Sequence, residues 1–132
     1  MFITKTIKTM NTTSIKNLKE NVDMLNNMIL EGKILEAFEK FYAEDVVMQE
    51  NEDAPTIGKA NNRLHEEAFV GNITEFRNAA VKSVILSDNI SVIEWELDFT
   101  HAEWGIRNYT QVAVQRWNNE GQIVNEKFYY NN

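Results

Sequence analysis

Ile15, Leu18, Val22, Leu25 and Ile29 recur at spacings of three and four residues, which places them on one face of a helix over residues 14–30. Gly32 suits the left-handed residue that follows a helix C-terminus, and after it Ile34, Leu35, Phe38, Phe41 and Tyr42 predict a second, short amphipathic helix. The period then changes. The β-branched pair Val46 and Val47 predicts a strand over residues 45–49, Pro55 and its neighbours predict a turn over 51–56, and Leu64, Ala68 and Phe69 predict a third helix between Gly58 and Gly71. Beyond Asn72 the segments 74–87, 90–101, 106–118 and 122–130 are rich in Val, Ile, Thr and aromatic residues, with Asp88-Asn89 and Asn119-Glu120-Gly121 as turns. Helices first and a meander of strands afterwards predict an α+β domain, three N-terminal helices packed on one face of an antiparallel sheet. No internal repeat or linker divides the chain, so residues 14–132 are expected to form one domain preceded by a flexible N-terminal tail, residues 1–13.

Composition narrows the partners. The 132 residues hold 13 Lys and Arg against 20 Asp and Glu, a formal net charge of −7, and no basic cluster interrupts the acidic background. Such a surface repels phosphate backbones and anionic bilayers, so neither nucleic acid nor membrane is an expected partner. With no cysteine there is no disulfide framework, thiolate metal site or cysteine nucleophile. His65 and His101, the two histidines, lack the paired spacing of structural zinc sites, and no Gly-rich phosphate loop or nucleophile elbow occurs, so no metal or cofactor is expected. Residues 1–14 contain no continuous apolar stretch of the kind that makes a secretory signal, and a soluble, cytoplasmic protein is the expectation.

The segment 90–101 poses the sharpest local question. Alternation puts Glu94, Glu96 and Asp98 on one face and Ile93, Trp95, Leu97 and Phe99 on the other. Ungapped placement from the Asp88-Asn89 turn points the acids inward, whereas the cost of burying three unpaired carboxylates points Trp95 and Leu97 inward instead. One bulge exchanges the two outcomes.

Three features in order resemble one superfamily. Phe41-Tyr42-Ala43-Glu44-Asp45 joins a helix end to a strand, Pro55 and Gly58 precede the third helix, and Trp117 stands four residues before the Gly121-Gln122-Ile123 turn. This order resembles the nuclear transport factor 2-like superfamily, in particular its SnoaL-like branch, over residues 17–131. The resemblance implies a cone-shaped pocket between the helices and a curved antiparallel sheet. It also implies frequent homodimerisation through that sheet, which the apolar residues on both faces of several strands support. Its members include isomerases, cyclases, dehydratases and non-catalytic binders, so the fold underdetermines the function.

Site residues carried over by this resemblance are expectations. The carboxylate base of the family's steroid isomerases falls on Glu50, where burial would raise the pKa into the range useful for moving protons. Seven residues past Gly58, His65 falls where relatives place a pocket-lining aromatic, and beside Glu50 it would serve as a general acid or base. The bland alternatives are a solvated loop acid in Glu50-Asn51-Glu52-Asp53 and a rim histidine on a helix that also carries Arg63, Glu66 and Glu67. The isomerases' two oxyanion donors fall near Leu25 and Ala113, which have no donor side chain, so that mechanism does not carry over. Asn131 stands where many SnoaL-like members end their last strand in Asp.

Along the strands, Gln111, Gln115 and Trp117 share one face with Tyr109, and Glu126, Phe128 and Tyr130 share another. Together with Tyr42 and Glu96 they are the expected ligand contacts, an amphipathic lining suited to a ring-bearing small molecule with polar substituents. The commoner fate of such aromatics is simply the core. Two functions therefore stand side by side, a small enzyme of isomerase, cyclase or dehydratase type using Glu50 and His65, or a dimeric small-ligand binder without catalysis.

Overall fold

Helix α1, residues 17–30 of a computed structural model that describes residues 17–131, buries Leu18, Val22 and Leu25 on the stripe their spacing predicts. It closes in a Schellman motif. Gly32 takes φ of 82°, its N–H donates to the Ile29 carbonyl at 3.0 Å and the Lys33 N–H donates to that of Met28 at 2.8 Å. Helix α2, Ile34–Phe41, buries Ala37, Phe38 and Phe41 and runs without a loop into strand β1, Tyr42–Glu50. Strand β2, Thr56–Ile57, and helix α3, Lys59–Gly71, follow. The remaining strands are β3, Ile73–Ser87, β4, Ile90–His101, β5, Gly105–Trp117, and β6, Ile123–Tyr129. The predicted tail, residues 1–13, lies outside the described residues.

Six strands form one curved sheet in the order β2-β1-β6-β5-β4-β3, with the helices packed against it. This is the α+β architecture expected from the sequence, with two amendments. The sheet is mixed, because β1 lies parallel to β6, Met48 opposite Glu126 and Glu50 opposite Phe128. A parallel neighbour needs a long crossover, and the whole segment from α3 through β5 supplies it. Residues 56–57, read as the end of a turn, instead form β2, pairing Val47 with Ile57 and Met48 with Thr56.

The extra residues of the bulges lie on β3 and leave the alternation of β4 intact. β3 and β4 shift register three times, between Ile73/Glu75, Phe76/Asn78 and Val81/Ser83, which bends the long hairpin over the helices. Against β5 the register of β4 is unbroken from Ile90 to His101. Strict alternation then buries Ser91, Ile93, Trp95, Phe99 and His101 on the helix side. The acids point the other way, where each finds a partner on β3. Ser83 donates to Glu94 at 3.0 Å, Lys82 pairs with Glu96 at 3.0 Å and Arg77 with Asp98 at 2.8 Å. Glu96 is thus corrected from a ligand contact to an outer-face residue, because only that face offers its charge a cation and water.

Candidate functional site

A cavity of about 560 Å³ opens between α1, α2, α3 and the concave face of the sheet. Apolar side chains make most of its wall, among them Leu25, Phe38, Phe69, Trp95, Phe99 and Phe128. A second, smaller hollow of about 400 Å³ adjoins its mouth and shares Glu50, Asp53, Trp104, Tyr109 and Tyr130 with it. Asn62 fixes α3 over this space, its amide donating to the carbonyls of Gly58 at 2.8 Å and Thr56 at 3.0 Å.

Glu126 occupies the floor and is only 2% exposed. The Tyr42 hydroxyl donates to one carboxylate oxygen at 2.5 Å and the Gln115 amide to the other at 2.7 Å. A chain of donors behind Gln115 sets its orientation. The indole N–H of Trp117 can only donate, and it does so to Ser91 Oγ at 2.8 Å. The Ser91 proton is then free for Gln115 Oε1 at 2.6 Å, which turns the Gln115 nitrogen toward Glu126. Burial pushes the Glu126 carboxyl up to about 7, opposed by the hydrogen bonds from Tyr42 and Gln115, which favour the anion. Burial also raises the Tyr42 hydroxyl well above its ordinary value, helped by the charge of Glu126.

Glu66, on α3, is the second carboxylate of the wall. Burial first, then the charges of Glu126 and Glu50, push it up to about 8. It was not among the residues expected from the sequence, where Leu64, Ala68 and Phe69 predicted the helix and His65 was its expected pocket-lining residue. The inner face is Asn62, Glu66 and Phe69, at the four- and three-residue steps of one stripe, while Leu64 is 64% exposed. Counting back from Phe69 in those steps is the signal that finds Glu66.

His101 is a further residue that the sequence placed no higher than a strand end. It closes β4, is 3% exposed and lines the cavity. Its Nδ1 accepts the backbone N–H groups of Glu103 at 3.1 Å and Trp104 at 3.3 Å, and its ring stacks on Trp104 with centroids 3.6 Å apart. With Nδ1 an acceptor, the neutral ring carries its proton on Nε2.

The remaining expected residues divide by depth. Tyr42, Gln111, Gln115, Glu126, Phe128 and Tyr130 all line the cavity. Trp117 does not. It lies beneath the floor, edge-on to Phe41 at 6.0 Å, where the alternation of β5 and its bond to Ser91 hold it in the core. Glu50 and His65 line the same cavity but both are exposed, at its mouth, and no hydrogen bond joins them among the described residues. Glu50 accepts the Tyr130 hydroxyl at 2.9 Å, and His65 Nδ1 lies 3.4 Å from Thr56 Oγ1. Leu25 and Ala113 are fully buried, so the two oxyanion positions of the steroid isomerases present no donor. Among the described residues no helix is long and apolar enough to cross a membrane.

Solved structures with this fold are numerous and distant in sequence. A candidate SnoaL-like polyketide cyclase from Mesorhizobium loti superposes with a TM-score of 0.76 at 22% identity, covering 85% of this chain and 97% of that one. An epoxide hydrolase from M. tuberculosis gives 0.71 at 10% identity over 89% and 84% of the two chains. A steroid delta-isomerase from Pseudomonas aeruginosa gives 0.66 at 15% identity over 88% and 80%. At these identities the likeness establishes the fold alone. A search of curated proteins returns no match. The model of the SnoaL-like domain matches residues 17–130, nearly the whole of the described chain, and on that match this protein belongs to the SnoaL-like domain family.

Proposed function

We propose that this protein is a small enzyme of general acid–base type, moving a proton on an apolar, ring-bearing molecule held in the cavity, with Glu126 as the proton carrier. One observation carries the reading. A carboxylate on the floor of an apolar cavity, lifted to about 7 by burial and held in place by Tyr42 and Gln115, is half ionised near neutral pH, where both taking and returning a proton are efficient. The carboxylate expected from the sequence, Glu50, and its neighbour His65 stand at the mouth, where they guard entry rather than meet the reacting atoms.

Solvent exchange tests it without knowing the substrate. Deuterium uptake from D₂O into the acidic C–H groups of apolar cyclic ketones, 2-tetralone first, is expected to run faster with the protein than in buffer. The rate should rise as the pH passes about 7. Glu126→Gln should remove on the order of 100-fold or more of that acceleration. Uptake no faster than in buffer would end the enzymatic reading. One observation favours a second reading, that of a binder without catalysis: both Glu126 oxygens are already hydrogen-bonded, as in a structural network. Binding of 2-tetralone without exchange would establish that alternative.

A further inference from the structure

Glu66 has no hydrogen-bond or ion-pair partner among the described residues, although it sits in a wall built mainly of apolar and aromatic groups. Elsewhere in the chain comparable acids are matched, Glu39 with Arg63 and Asp98 with Arg77. The imbalance extends to the whole cavity. Glu50, Asp53, Glu66, Glu103 and Glu126 line it, and among the described residues no Lys or Arg does. Arg107 belongs to the outer hollow, where it stacks over the Tyr109 ring at 4.6 Å and donates to the Asn131 carbonyl at 2.9 Å. His101 Nδ1 is taken up by the backbone N–H groups of the turn that follows it. His65 lies at the exposed mouth against Thr56.

Taking the cavity to be a small-molecule site, as in the function proposed above, we infer that its ligand carries a protonated amine on an apolar or aromatic body, and that Glu66 is the carboxylate the ammonium meets. A half-buried carboxylate in a mainly apolar wall gains from an ion that completes its hydrogen bonds, because Coulomb attraction strengthens as the local dielectric falls. The aromatic wall adds to the same preference. Phe69, Trp95, Trp104 and Tyr109 line the space, and aromatic rings attract ammonium groups. An anionic ligand would find no Lys or Arg among the described residues of this wall to meet its charge. Glu66 is raised to about 8, so near pH 7 it holds a proton that an arriving ammonium displaces. The groups that share its field are Glu126 and Tyr42 on the floor, Glu50, Asp53 and Tyr130 at the mouth, and Glu103 in the β4–β5 turn.

Three probes of one shape separate the possibilities: 2-(2-naphthyl)ethylamine, the matching alcohol 2-(2-naphthyl)ethanol and the matching acid 2-naphthylacetate, each titrated calorimetrically into the full chain. The amine is expected to bind at least about tenfold more tightly than the alcohol, and the acid most weakly. At pH 7 amine binding should release up to one proton, read from the dependence of the heat on buffer ionisation, and the affinity should rise from pH 6 to pH 8. Glu66→Gln should abolish the preference for the amine and the proton release while leaving the alcohol's affinity within about twofold. Asp53→Asn, at the mouth, should keep both the preference and the release. Equal or weaker binding of the amine than of the alcohol would overturn the inference and leave the cavity reading intact. Failure of all three probes to bind would overturn both.

Discussion

Two tyrosine–glutamate hydrogen bonds tie β1 to the end of the chain, and they differ in depth rather than chemistry. Tyr42 at the start of β1 donates to Glu126 on β6, and Tyr130 just past β6 donates back to Glu50 at the end of β1. The first pair is buried under the helices and continues through Gln115, Ser91 and Trp117. The second is exposed at the cavity mouth. Desolvation is what separates them. A carboxylate in the floor loses its water and is pushed up to about 7, whereas the mouth leaves water to solvate Glu50. Tyr130, for its part, is raised above its ordinary value by partial burial and then by the charge of Glu50. Identical residue types thus yield a proton-transfer candidate in one place and a rim contact in the other.

The pH dependence of stability would break this comparison most directly. Glu126 and Glu66 rise from 4.5 to about 7 and about 8 in the folded chain. Between the ordinary and the raised values the folded protein keeps protons that the unfolded chain has lost. Stability is therefore fully retained below pH 4.5 and declines as the pH rises, by about 1.4 kcal/mol per pH unit for each carboxylate. Urea unfolding between pH 5 and 8.5 should show a total loss of roughly 3 kcal/mol or more on that basis. Glu66→Gln should recover about 1–3 kcal/mol of it at pH 8.5 and leave pH 5 unchanged. A flat or rising profile would mean that the floor is wet.

A smaller effect is expected from the buried tyrosine. Tyr42→Phe removes a donor from a carboxylate that has no water to replace it, and should cost about 1–3 kcal/mol at pH 8. It should also lift the Glu126 midpoint, visible in the carboxyl ¹³C titration, because the lost hydrogen bond favoured the anion. Smallest of all is the matching change at the mouth. Tyr130→Phe should alter stability by no more than about 0.5 kcal/mol, since water takes over the bond to Glu50. Equal costs for the two tyrosines would erase the distinction between floor and mouth.

Local patterning accounts for most of what was legible in advance. The stripe Leu18, Val22, Leu25 is buried as its spacing requires, and the strands predicted over 74–87 and 90–101 run as Ile73–Ser87 and Ile90–His101. The third helix was placed correctly, but its cavity-lining stripe was legible only in part. Its inner stripe lines a cavity instead of filling a core, so Asn62 and Glu66 face inward and the apolar Leu64 does not. Hydrophobicity misleads wherever the inside of a protein is designed to hold something else. In the segment 90–101 the desolvation argument identified the buried face, and the ungapped placement from the Asp88-Asn89 turn named the wrong one although β4 carries no bulge of its own.

By itself, then, the sequence determined the order and type of the elements, because helix and strand periods are written in neighbouring residues. It also determined that the chain is acidic and lacks cysteine chemistry. Which carboxylate lies deep was decided only by the tertiary structure. Glu126 meets Tyr42 across 84 positions of sequence through the parallel pairing of β1 with β6, and no local pattern encodes a register at that distance. Depth in turn sets desolvation, and desolvation separates Glu126 and Glu66 from the Glu50 that the linear motif singled out.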